Sequence, residues 1–124
     1  MGEAARSLGG VVSYPERGID RRYFGLNPEF IEYATEGRFK KTIVVLMGCG
    51  GLHSDSMAKA FVEKGAAAFI GWDNAVTAAH TDTTTTALLE RLIKNRAEAV
   101  DAVAETMAEI GPDPAFGARL VAYP

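Results

Sequence analysis

TIVVLMGCGG (residues 42–51) and AAAFIGWDN (residues 66–74) are the two runs on which the fold turns. The first opens on six largely β-branched residues, five of them apolar, between Lys40-Lys41 and Gly48. It is too short for a helix, and its unbroken apolar character predicts a strand, Thr42–Met47, buried on both faces as in a parallel sheet. Ala66–Gly71 reads the same way. Between them lies a helix signal. Ser54 can cap it, Asp55 sits in its first turn, and Met57, Ala58, Phe61 and Val62 form one stripe before Lys64-Gly65 closes it. Strand, helix and strand in this order predict a right-handed βαβ unit, with Thr42–Met47 central in the sheet.

Outward from this unit the signals are weaker. Towards the N-terminus, residues 1–9 read as a loose end and Gly10–Tyr14 as a short strand stopped by Pro15. Residues 15–22, PERGIDRR, read as a charged loop, and Asn27-Pro28-Glu29 starts a short helix that Gly37 ends. Towards the C-terminus a helical pattern begins near Asp82, although four threonines in a row are poor helix formers. A break near Asn95 precedes a long helix to Ile110, which Gly111-Pro112 stops. Leu120–Tyr123 predicts a last strand. No repeat or linker interrupts the chain, and its 124 residues suit one α/β domain over residues 1–124.

Composition narrows the partners. The hydrophobic fraction is 48% and the charged fraction 23%, ordinary for a globular protein. A net charge of −3 gives no basic footprint for nucleic acid and no polybasic run for an anionic membrane surface. No stretch approaches the ~20 apolar residues of a membrane span. A single cysteine makes no disulfide framework. With no apolar leader at the N-terminus, the expectation is a cytoplasmic protein.

Cys49 directly follows the first strand, where open α/β sheets gather catalytic groups. The flanking glycines let a backbone approach closely, and a helix N-terminus a few residues on can favour a thiolate or hold an oxyanion. Equally, a free cysteine is often a small core residue. His53 and His80 are the two imidazoles available as a base. His53 sits in a helix-entry loop and reads as exposed; His80 lies in a loop after the second strand that can return to the same edge. Trp72 can wall a substrate pocket or cover the sheet. Asp73 can bind a basic group or form a turn. No CxxC or HExxH spacing indicates a metal, no GxGxxG or Gly-Lys-Ser/Thr indicates a phosphate loop, and no cofactor is expected.

An apolar strand ending in Gly-Cys-Gly-Gly is similar to the cysteine box of the caspase, legumain and gingipain group. MAKAFVEKGAAAFIGWDNAV (residues 57–76) resembles the unit that follows in those proteins, and CHAT-domain proteases show a similar pattern. The run YFGLNPEFI, GCGGL, AFVEKGA, GWDNAV, HTDTTTTALLERLI, EIGPDPAFGARLVAYP looks like a prokaryotic family of caspase-like domains, a likeness over about residues 22–124. The resemblance implies a three-layer α/β sandwich with a mostly parallel sheet, lacking its N-terminal half. It implies a cysteine peptidase that hydrolyses peptide bonds, with Cys49 as nucleophile and the Gly50 backbone N–H in an oxyanion hole. His80 is a candidate base, and Trp72 and Asp73 would contact a peptide or protein substrate. It also implies a catalytic histidine in an earlier loop, in caspases roughly 50 residues before the cysteine. No histidine precedes Cys49. The alternatives are a non-catalytic caspase-like module for protein interaction or self-assembly, as a homo-oligomer or with a complementing chain, and an α/β domain that binds a small molecule through its glycine loop.

Overall fold

The computed structural model describes residues 9–14 and 19–124. The chain divides into two compact units, Met1–Gly37 and Arg38–Pro124, where the sequence suggests one continuous domain.

The first unit contains an antiparallel hairpin of β1 (Gly9–Tyr14) and β2 (Ile19–Leu26). Val11 pairs with Phe24 and Val12 with Tyr23, and the register shifts at Ser13/Tyr14. The expected strand at 10–14 is therefore present. The expected loop at 15–22 needs correction, because Ile19–Arg22 belong to β2. The β propensity of Ile19, Tyr23 and Phe24 favours a strand that continues through Asp20, Arg21 and Arg22. Residues 1–8 and 15–18, including most of the expected loose end, lie outside the described residues. After Asn27 a short π-helical turn, Phe30–Ala34, buries Ile31. Gly37 follows at φ 76°, a left-handed conformation that suits glycine.

The second unit runs β3 (Ile43–Val45), α1 (Ser56–Glu63), β4 (Ala68–Trp72), α2 (Ala78–Ile93), α3 (Ala99–Ile110) and β5 (Leu120–Tyr123). The sheet order is β3-β4-β5. β3 and β4 are parallel, with Val44 opposite Phe69, as the βαβ reading requires. β4 and β5 are antiparallel, with Ile70 opposite Ala122. Two expectations are corrected here. The sheet is mixed rather than mostly parallel, and its centre is β4, not β3. Every residue of β4 is buried, whereas β3 is half-buried at best and Ile43 is exposed.

Alternation along β4 divides the core. Ala68, Ile70 and Trp72 join Leu88 of α2, Ala102, Val103 and Met107 of α3, and Leu120 of β5 in one cluster. Phe69 turns the other way, 5.6 Å from the ring of Phe61 on α1, which in turn meets Phe39 at 5.4 Å. Ile70 and Leu88 are wholly enclosed. Full burial of one such side chain contributes about 1.5–3 kcal/mol, so the β4 faces dominate the stability of this unit. The turn that delivers β4 depends on Gly65. It stands at φ 109°, and a Cβ there would lie 2.4 Å from the Phe39 carbonyl oxygen.

α2 starts at Ala78, four residues before the threonine pattern suggests, and the threonine run is fully helical. Tertiary packing overrides the weak propensity of these residues. Thr81, Thr84 and Thr85 turn inward with Leu88. Arg91 reaches from α2 to α3, donating to Thr106 Oγ1 at 3.3 Å and pairing with Glu105 and Glu109. Glu109, Glu105 and Glu90 outweigh the desolvation of the Arg91 guanidinium and raise its pKa, so this link between helices stays charged. Gly111, at φ 81°, closes α3, and its N–H bonds the Met107 carbonyl.

Among the described residues no helix is long and apolar enough to cross a membrane.

Candidate functional site

The parallel pairing of β3 with β4 brings both carboxyl ends to one side of the sheet. Leu46 N–H donates to Ile70 O at 2.8 Å, after which the chain enters the glycine turn. This turn lies against the residues that follow β4. Gly50 N–H donates to Asn74 O at 3.0 Å and Leu52 N–H to Trp72 O at 2.8 Å. A Cβ at Gly51 would meet Leu46 Cδ2 at 2.6 Å, so the Leu46 side chain would have to move. Gly50 takes φ 65°. The turn crosses the chain after β4 closely: a Cβ at Gly71 would lie 3.5 Å from Gly51 C.

Cys49 is exposed. Its sulfur accepts from Val76 N–H at 3.4 Å and its thiol donates to Val76 O at 3.4 Å. The residue therefore meets the loop after β4, as the βαβ geometry predicts, and the sulfur is held between two backbone groups of one residue. The imidazoles are engaged elsewhere. His53 Nδ1 lies 3.3 Å from Asp73 O. His80 Nε2 lies 3.1 Å from Gly111 O, which requires the proton on Nε2. Its ring packs 5.6 Å from that of Trp72.

The other predicted residues have structural partners. Trp72 is wholly buried, at the end of β4 and in the main core cluster. Its indole N–H donates to Thr81 Oγ1 at 2.9 Å, and the same hydroxyl donates to Met47 O at 2.9 Å. Asp73 Oδ1 accepts Arg119 N–H at 2.8 Å, and Asp73 N–H donates to Arg119 O at 3.1 Å. This carboxylate fastens the entry to β5. Gly50 N–H is already spent on Asn74, so in this conformation it is not presented to an oxyanion, and neither it nor Leu52 N–H is presented to a phosphate.

Sequence reasoning missed two residues of this region. Thr81 ties the ends of β3 and β4 to α2. Its signal was the β-branched run itself, which reads as a helix penalty until its hydroxyls find partners. Asp113 is wholly buried. It accepts Thr77 Oγ1–H and Phe116 N–H, each at 2.8 Å. Burial pushes its carboxyl pKa up. The bonds from Thr77 and Phe116, together with the charge of His80, outweigh that, and the pKa falls below the ordinary carboxylate value. Asp113 sits within a turn-rich Gly-Pro-Asp-Pro sequence that gives no hint of burial. Among the described residues no group of three His, Cys, Asp or Glu side chains is placed to hold a metal ion.

Neither a family description nor any curated protein or solved structure matches this chain.

Proposed function

We propose that residues 38–124 form a protein-interaction module of a caspase-like α/β kind, working in the cytoplasm, whose β3 edge receives a strand from another polypeptide. In this reading Cys49 occupies the position of a nucleophile but does not turn over peptides. The observation that carries it is the state of β3. Among the described strands it pairs with β4 alone. Thr42 and Leu46 turn their backbone groups to β4, through Ala67 N–H to Thr42 O and Leu46 N–H to Ile70 O, both at 2.8 Å. By alternation Ile43 and Val45 turn theirs outward. Natural edge strands are blunted by charges, prolines, bulges or shortness. Ile43–Val45 carries no charge, proline or bulge; its three-residue length, after Lys40-Lys41, limits it to a short docking strand.

Hydrogen exchange tests the reading. At low concentration, Ile43 and Val45 amides should exchange far faster than those of Phe69 and Ile70, and addition of a binding strand should slow them. Slow exchange at every dilution would mean that the edge is already covered, and the reading fails.

One observation favours a second reading, a cysteine peptidase. Cys49 is exposed at the carboxyl end of its strand. Without an imidazole on the sulfur, general-base help typically worth ~10²–10⁴ in rate is missing. Turnover of a peptide library by the purified chain, abolished in Cys49→Ala, would favour the peptidase over the interaction module.

A further inference from the structure

The opposite edge of the sheet is built differently. Among the described strands β5 pairs with β4 alone. Just before it, Arg119 N–H and C=O turn to β4, meeting Asp73 Oδ1 at 2.8 Å and Asp73 N–H at 3.1 Å. Backbone groups alternate along an antiparallel ladder, so Val121 and Tyr123 also turn theirs to β4, and Leu120 and Ala122 turn theirs away. Leu120 shows this directly. Its N–H donates to the Met107 sulfur of α3 at 3.4 Å, a weak acceptor. The Leu120 carbonyl and both backbone groups of Ala122 therefore face out from the sheet edge.

They face a groove of about 440 Å³ whose other wall is α3. Val100, Ala104 and Ala108 recur every fourth residue along that wall, and all three are exposed. Two of the three are alanines, so room is left between helix and strand edge. Ala118, Leu120 and Ala122 face the core, which puts Arg119 and Val121 on the other face of the strand. Arg119 is the one charged residue of the groove lining. It is exposed, and among the described residues it forms no ion pair.

We propose that this groove takes an extended segment of another polypeptide, added to β5 as a further strand. Its aliphatic residues lie against Val100, Ala104 and Ala108, and an acidic residue on its alternate face lies beside Arg119. This site is separate from the β3 edge and does not depend on it. Each part of the occupant answers a different observation. The outward backbone groups of Leu120 and Ala122 call for main-chain partners, which an extended peptide offers and a helix does not. The low alanine wall admits aliphatic side chains at every second position of that peptide. The unpaired guanidinium calls for a carboxylate as its cross-strand neighbour. A second copy fits less well. Residues 119–124, RLVAYP, hold no acidic side chain, so β5 laid on β5 leaves Arg119 unanswered.

The test is selection of short random peptides from a displayed library on the full chain, followed by amide exchange with a captured peptide bound. The expected peptides alternate aliphatic residues with an acidic one. On binding, the Ala122 amide should gain protection and those of Ile43 and Val45 should not. Ala104→Phe fills the groove from α3 and should weaken binding by about tenfold or more, as for a blocked interface anchor. Arg119→Gln should weaken it by about two- to fivefold, the size of one cross-strand charge pair. Arg119→Glu should turn the selection towards Lys or Arg at the acidic position. Ala104 and Arg119 are exposed, so these variants should fold, and unchanged Trp72 emission checks this. An empty selection would overturn the proposal, as would captured peptides that lack the acidic residue or ignore Ala104→Phe. Peptides that protect Ile43 and Val45 but not Ala122 would overturn it and uphold the β3 reading. An Ala122 amide protected at every dilution without peptide would show the groove already covered and overturn it too. Protection that rises with chain concentration alone would replace the peptide with a second copy.

Discussion

β3 and β4 come from runs of nearly the same apolar character, yet their surroundings are opposite. β4 is flanked by a strand on each side and has both faces covered. Among the described strands β3 has one neighbour, and it has an exposed residue at its start. Apolar composition states what a strand can be buried against. It does not state how many neighbours the chain provides. Substitutions in the two strands, and in the groups that join them, should separate these quantities.

The largest effect belongs to the β4 side. Trp72→Ala removes a wholly buried side chain and should cost about 3–5 kcal/mol in urea unfolding. A loss below about 1 kcal/mol would show that the β4 core is much looser than its burial indicates. Next is the hinge between the strands. Thr81→Val keeps the shape but strands the Trp72 indole N–H and the Met47 carbonyl, at a cost of about 1–3 kcal/mol. Thr81→Ser should recover most of it, and failure of that rescue would assign the loss to packing and not to the hydroxyl.

A smaller, pH-dependent effect comes from Asp113. Its folded pKa lies below the unfolded value near 3.9, so its contribution is fully present above that value. It is lost as the pH falls through the lower folded value. The stability difference between the native chain and Asp113→Asn should therefore be constant near neutrality and shrink at pH below about 4. A difference that instead grew on acidification would reverse the assigned sign. The smallest effect should be at the edge. Ile43→Thr changes a side chain that is 38% exposed and should shift monomer stability by less than about 1 kcal/mol. A larger loss, measured at a concentration where the chain is monomeric, would mean that the edge is covered within the chain.

Much of the second unit was legible because its signals are local. Leu120–Tyr123 was expected as a strand and is β5, and the glycine at 111 ends α3 as its position suggests. The βαβ unit followed from an apolar helical stripe between two apolar runs, although the helix starts at Ser56 with Asp55 at its N-cap and without the side-chain cap expected of Ser54. What was not legible depends on distant partners. β5 returning antiparallel beside β4 displaces β3 from the centre, and nothing in TIVVLM encodes that. At the start of α2, the N-cap residue Thr77 reaches Asp113, 36 residues away. The site was legible to the extent that Cys49 was placed at the sheet end near the loop after β4. The roles assigned to Trp72, Asp73 and Gly50 rested on which groups would be free, and bonds to Thr81, Arg119 and Asn74 occupy them.

The Trp72–Thr81 bond also gives the molecule a built-in optical reporter. Trp72 is the single tryptophan of the chain. Its ring is dry, yet its N–H is bound to a hydroxyl that itself grips the end of β3. Its emission therefore senses closure of α2 over the two strand ends, and it does so for the unit 38–124 alone. The tyrosines and the far-ultraviolet signal also report the hairpin of the first unit. If the two units melt independently, tryptophan emission and circular dichroism will give different midpoints. If they melt as one, the curves will superimpose.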